Sequence, residues 1–124
     1  MSSLSASNVE FFLERMESHS KVEACNQLND DAEYIFEVIR KGGLPRVLVY
    51  LSDAYKYTAW EYLSHPKRIR SGDFIVVGGF AALDPSVVEL ARNDRIGLGG
   101  IGKLMGALNA ERVWEYRSLE ERTR

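Results

Sequence analysis

The sequence predicts an α/β domain, a three-layer sandwich with a mainly parallel central sheet and helices on both faces. Three observations carry this expectation. Between Arg46 and Asn109, short β-branched runs alternate three times with amphipathic stretches. The runs Arg46-Val47-Leu48-Val49-Tyr50-Leu51 and Phe74-Ile75-Val76-Val77 show no polar alternation, the pattern of strands covered on both faces. Strands separated by helices are joined by right-handed crossovers, which makes neighbouring strands parallel and distributes the helices over the two faces.

From the N-terminus, Ser7-Asn8-Val9-Glu10 has the spacing of a capping box and opens a first helix. Val9, Phe12, Leu13 and Met16 recur at i, i+3, i+4 and i+7 as its apolar stripe, and Ser18 to Ser20 breaks it. Lys21 to Leu28 fits either a short helical face or an extended connector. Asn29 then offers a cap, Asp30 and Asp31 suit the positive end of a helix dipole, and Ala32, Ile35, Phe36 and Ile39 form a second stripe. Gly42-Gly43 closes it, because glycine accepts the left-handed conformation that ends many helices. Residues 8–41 are therefore expected as N-terminal helices, 46–109 as the β/α core and 111–124 as a closing segment. The 124 residues suffice for one hydrophobic core and one domain.

After the strand at 46–51, Asp53 or Thr58 starts a helix. Thr58-Ala59-Trp60-Glu61 is a second capping box, Tyr55, Ala59, Tyr62 and Leu63 lie along one side, and Pro66 stops the helix. Ser71-Gly72-Asp73 makes a turn into Phe74 to Val77, which Gly78-Gly79 closes. Asp84-Pro85 starts the next helix, with carboxylate as cap and proline in the first helical position, and Val87, Val88, Leu90 and Ala91 face the sheet. Asn93-Asp94-Arg95 ends it. Ile96-Gly97-Leu98 is a short third strand, and Ile101, Leu104, Met105 and Leu108 form a last stripe. Val113, Trp114, Tyr116 and Leu119 among many charges fit an edge strand or a helix, with a strand at Arg112 to Arg117 and a frayed tail the favoured reading.

Composition narrows the function classes. Apolar residues at 45% and charged residues at 27% are globular values. No apolar run approaches the roughly 20 residues that span a bilayer, and the N-terminus lacks a signal peptide's basic and apolar regions, so a cytoplasmic protein without a membrane partner is expected. Cys25 is the only cysteine, and His19 and His65 lack zinc-ligand spacing. Neither a metal nor a cofactor is expected. The net charge of −2 supplies no global attraction to nucleic acid, so any such contact must be local.

Two candidate sites emerge. Gly97-x-Gly99-x-x-Gly102 formally matches the dinucleotide-binding fingerprint, yet only 22 residues follow Gly102, too few for the rest of a nucleotide-binding half. Lys103 does not have the spacing of a P-loop lysine. A tight turn with close helix packing is the favoured reading. Asp53 and Lys56 lie just beyond the strand at 46–51, where open α/β sheets bind ligands, although Asp53 also suits a helix cap. Asp53, Lys56, Gly99, Gly102 and Lys103 together form a candidate ligand-binding site. The second candidate is a nucleic-acid or partner surface made of Tyr55, Tyr57 and Trp60 with Lys67, Arg68 and Arg70, because aromatic faces beside cations suit stacked bases and phosphates. A solvated basic turn with the aromatics packed against the sheet or a second subunit is the favoured reading, because aromatic residues are also enriched at protein interfaces; Phe11, Trp114 and Tyr116 look surplus to a small core, so a homo-oligomer is expected.

The segment Gly72-Asp73-Phe74-Ile75-Val76-Val77-Gly78-Gly79-Phe80, then Val87 to Leu98 and a short apolar helix, resembles the back half of restriction-endonuclease-like domains of the Mrr type, over roughly residues 46–109. The resemblance implies a strand, a helix, a short strand and a closing helix, with Val47 to Tyr55 in the place of the family's catalytic strand. The chemistry of that family uses an acidic residue followed by Glu-x-Lys or a near variant to hold a divalent metal and activate water. Here the matching strand reads Val49-Tyr50-Leu51-Ser52, with tyrosine and serine where glutamate and lysine would stand, and only Asp53 nearby. The nuclease centre is then absent or displaced, and no catalytic residue is carried over. The sequence thus points to a non-catalytic, nuclease-like binding or assembly module with nucleic acid as a candidate partner. The alternative is a small enzyme or nucleotide-binding protein using the loops after the first and third strands.

Overall fold

The computed structural model of the chain describes residues 6–28, 34–54, 56–78 and 82–122. Its strands are Val22–Gln27 (β1), Ile35–Arg40 (β2), Val47–Leu51 (β3), Lys56–Tyr57 (β4), Phe74–Val76 (β5), Ala82–Leu83 (β6) and Gly97–Gly99 (β7). Its α-helices are Ala6–Glu17 (α1), Ala59–Leu63 (α2), Pro85–Asn93 (α3), Ile101–Ala107 (α4) and Leu119–Arg122 (α5), with a 3-10 turn at Val113–Glu115. No helix among the described residues is long and apolar enough to cross a membrane.

Five strands share one sheet in the order β1-β2-β3-β5-β7, while β4 and β6 pair separately and in parallel. The pairs β1–β2 and β2–β3 are antiparallel, and β3–β5 and β5–β7 are parallel. The fold is α/β as expected, but the sheet is mixed and its longer ladders are antiparallel. The expected parallel crossovers hold only from β3 onward, where helices separate the strands. Before β3 the connections are short, and a short connection joins antiparallel neighbours.

The pleat explains the unbroken apolar runs. Val47, Val49 and Leu51 of β3 and Phe74 and Val76 of β5 enter a cluster with Phe12 and Met16 of α1 and Leu104 and Ala107 of α4. The alternate residues Leu48, Ile75 and Val77 enter a second cluster with Tyr62 of α2 and Val87, Val88 and Ala91 of α3. Successive strand residues point to opposite faces, so a strand with helices on both sides must be apolar at every position. Burying each large side chain, such as Phe12 against Phe36 with ring centroids 4.8 Å apart, contributes about 1.5–3 kcal/mol.

Several local expectations are corrected or resolved. The stripe at Ile35, Phe36 and Ile39 is strand β2, not a helix; β2 lies between β1 and β3, with Ile35, Phe36 and Val38 fully buried. Gly42 and Gly43, both left-handed at φ 72° and 75°, turn β2 back into β3 and do not cap a helix. The proposed cap at Asn29 with Asp30, Asp31 and Ala32 lies outside the described residues. The C-terminal strand at 112–117 is replaced by the 3-10 turn and α5: Val113 is buried, and Trp114 and Tyr116 pack against the first cluster and are not surplus. At the N-terminus, α1 already includes Ala6 and Ser7, so it begins before the expected cap. The helix after β3 starts at Thr58 and not Asp53, through a capping box in which the Thr58 N–H donates to Glu61 Oε1 at 2.9 Å.

The other helix starts and several buried polar groups follow simple chemistry. Asp84 caps α3 by accepting from the Ser86 N–H at 2.9 Å, with Pro85 in the first helical position. Buried Asp73 accepts the Leu48 N–H at 3.0 Å and the Arg70 N–H at 2.8 Å, tying the turn before β5 to β3; burial raises its carboxyl pKa despite these bonds. Buried Arg40 donates to the carbonyls of Pro45, Leu108, Ala110 and Glu111, anchoring the end of α4 to β2. His19 lies within 2.8 Å of the Met105 carbonyl through Nε2 and accepts the Lys21 N–H on Nδ1, which makes it a packed bridge between α1 and α4. Cys25 is half-buried, and burial pushes its thiol up to about 11, away from the reactive range.

Candidate functional site

The glycine-rich turn follows from close packing. A Cβ on Gly97 would stand 2.2 Å from the Phe74 ring, and a Cβ on Gly99 would stand 2.5 Å from Cδ of Lys103. Gly97 therefore admits an aromatic ring, and Gly99 lets the Lys103 stem fold back over the strand. Gly102 is exposed, with nothing within 4 Å of a built Cβ. Two of the three fingerprint glycines thus serve side chains of this chain.

The folded-back Lys103 Nζ donates to the Leu98 carbonyl at 3.1 Å and meets Glu121 Oε1 at 2.9 Å. The other oxygen of Glu121 lies 3.0 Å from Nη2 of Arg92, which also donates through Nε to the Trp114 carbonyl. Arg92 pairs in addition with Glu89, whose carboxylate lies 3.5 Å from Arg117. The side chains of Lys103, Arg92 and Glu121 are only 10%, 12% and 19% exposed, so water screens this cluster weakly. Burial pushes the Glu121 carboxyl up, but the Ser118 amide, Lys103 and Arg92 outweigh it and hold the group down at about 2. Burial lowers the Lys103 pKa even with Glu121 beside it. Glu121 also builds α5: the Ser118 N–H donates to its Oε1 at 2.8 Å, and its own N–H donates to Ser118 Oγ at 3.3 Å. Lys103 was legible as a candidate; its partners Arg92 and Glu121 were not, because no local spacing links them to it.

The other half of the expected ligand site stands apart. Asp53 and Lys56 are exposed after β3, and β5 lies between β3 and β7, which puts two strand spacings, roughly 10 Å, between these loops. Where the nuclease resemblance places an acid and a lysine, Tyr50 is half-buried, and buried Ser52 accepts the Ala54 N–H at 3.1 Å. Among the described residues, no three His, Cys, Asp or Glu side chains are grouped to hold a metal ion.

The aromatic and basic candidates separate by depth. Tyr57 is buried at 1% exposure in the second cluster, and its hydroxyl has no hydrogen-bond partner among the described residues; burial raises its pKa. It is a core residue and not part of a surface. Tyr55 lies outside the described residues. Trp60 stands 74% exposed on α2, with Leu63 72% exposed one turn later. Lys56 precedes this helix, and Lys67, Arg68 and Arg70 follow it, all exposed. The capping box holds Glu61 below its usual range through its bonds to Thr58, so the acid at the start of α2 is tied to its own helix.

A cleft of about 460 Å³ opens below the end of α2, between Tyr62, His65, Asp94 and Arg95. The Tyr62 hydroxyl donates to Asp94 at 2.5 Å. Arg95 takes the left-handed position after α3 at φ 62°, where the Ile96 N–H closes on the Ala91 carbonyl at 2.9 Å. Sequence periodicity carried no signal for this cleft, because it is made by the ends of two helices that meet only in the fold. No protein-family model, curated protein or solved structure matches this chain.

Proposed function

We propose that this chain is a non-catalytic, nuclease-like α/β module that binds single-stranded nucleic acid through the exposed face of α2. The observation that carries the reading is Trp60, with Leu63 beside it on the same helical face and cations at both ends of the helix. A tryptophan left in water on a small domain has surface to bury against a partner, and a base offers a flat one while Lys56, Lys67 and Arg70 meet phosphates. The chain order of β5, α3, β7 and α4 supports the nuclease-like part, and Tyr50 and Ser52, where the family carries glutamate and lysine, support the non-catalytic part. In the same reading the molecule is a cytoplasmic, three-layer sandwich, supported by the two clusters that place α1 and α4 on one face of the sheet and α2 and α3 on the other.

The test is fluorescence anisotropy of labelled single-stranded DNA and RNA, titrated with the protein at several salt concentrations. Micromolar or tighter binding that weakens with salt is expected, with Trp60→Ala weakening it about tenfold, the loss of one stacked base. Binding to neither strand at low salt sinks the proposal. Sedimentation of the same samples reports self-association, for which Phe11 on α1, 49% exposed, is the remaining aromatic candidate.

A further inference from the structure

We infer that Arg92 and Lys103 form a phosphoryl-binding pocket that Glu121 fills in cis, so that the segment bearing α5 is a strap displaced by a phosphate-bearing ligand. Two cations, each nearly covered, converge on the two oxygens of one carboxylate at 3.0 and 2.9 Å. That is the geometry with which a site grips an oxyanion. Gly99 exists in this arrangement to admit the Lys103 stem, so the glycine and lysine of the turn serve one purpose, the aim of an ammonium.

Charge counting names the ligand. Arg92, Lys103 and Arg117 face the carboxylates of Glu89 and Glu121, which leaves one positive charge in excess. A phosphate dianion in place of the Glu121 monoanion balances the cluster, and its additional oxygens offer Arg117 an acceptor.

The occupant is built to leave. α5 has four residues, Leu119 on it is 69% exposed, and its cap is made by the same Glu121 carboxylate that fills the pocket. Withdrawing that carboxylate therefore removes the Ser118 cap as well as the ion pairs, and the segment loosens as a unit. This inference is independent of the α2 surface, because Arg92 belongs to α3, Lys103 to α4 and Glu121 to α5.

The experiment is calorimetric titration of the full chain with inorganic phosphate and with a nucleoside monophosphate, with matched sodium chloride as the ionic-strength control. Glu121→Ala is expected to bind phosphate at least tenfold more tightly than the wild type, and adding Lys103→Met to Glu121→Ala is expected to abolish the gain. Preference for the nucleotide over free phosphate identifies a phosphate carried by a larger ligand; equal affinity identifies the free ion. In the wild type, the amide resonance of Ser118 is expected to move along the phosphate titration. If Glu121→Ala does not fold, Glu121→Gln must show the same ranking. Equal phosphate affinity in wild type and the Glu121 variant, or binding that survives Lys103→Met, overturns the inference.

Discussion

Two cationic regions of this molecule follow opposite plans. Around Glu121, Arg92 and Lys103 are packed under the C-terminal segment and paired with carboxylates. Along α2, Lys56, Lys67 and Arg70 stand in water beside an exposed Trp60. The first arrangement makes charge part of the fold, because a buried ion left alone is costly. The second leaves the fold indifferent to its charges and free to present them. The same residue types are thus held by the chain's own carboxylates in one place and left to solvent in the other.

Breaking the first region should have the largest effect. Removing Glu121 leaves Lys103 and Arg92 covered without a counter-charge and uncaps α5. Glu121→Ala is expected to lower unfolding stability by about 3 kcal/mol, at the lower end of the range for breaking a buried pair. Chemical denaturation monitored by circular dichroism measures it. A loss below about 0.5 kcal/mol would place this cluster with ordinary surface pairs and erase the contrast.

Acid sharpens the same contrast. With its carboxyl near 2 in the fold against an ordinary 4.5, Glu121 contributes its full stabilisation above pH 4.5 and loses it as pH falls toward 2, about 3 kcal/mol in all. Asp73 works the other way. Burial raises its pKa, so the folded state takes up a proton before the unfolded chain does; its contribution is present at low pH and lost as pH rises through the carboxylate range. Glu121→Gln should therefore flatten the acid limb of a stability-versus-pH curve, which denaturation at fixed pH values between 2.5 and 6 would show. An unchanged acid limb would mean that Glu121 carries no linkage.

The pattern of what could be read from the sequence follows the reach of each interaction. Strands β3 and β5 and helices α3 and α4 were legible because their signals are local: apolar runs, Asp84-Pro85 and a repeating stripe. The Thr58 to Glu61 capping box was legible for the same reason. Strand β2 was not, because Ile35, Phe36 and Ile39 fit a helical stripe as well as a central strand, and only the neighbours β1 and β3 decide between them. Lys103 was legible as a positioned cation, whereas its carboxylate comes from a distant segment that looked like a frayed tail. Tyr57 and Trp60 were indistinguishable in sequence, since one pattern of alternating aromatics carries both, yet one lies in the core and the other in water.

That last pair gives the smallest expected change in stability and the most direct test of the second region. Trp60 contributes little to the core at 74% exposure, so Trp60→Ala should shift unfolding stability by no more than about 0.5 kcal/mol, the usual range for a surface change. Tyr57→Ala, which empties a space in the second cluster, should cost about 3 kcal/mol or more by comparison with buried aromatic truncations. Tyr57→Phe should recover most of that loss, because it removes a buried hydroxyl that has no partner among the described residues. If denaturation instead shows Trp60→Ala to be as damaging as Tyr57→Ala, then Trp60 is held by the fold, and α2 does not present a free recognition face.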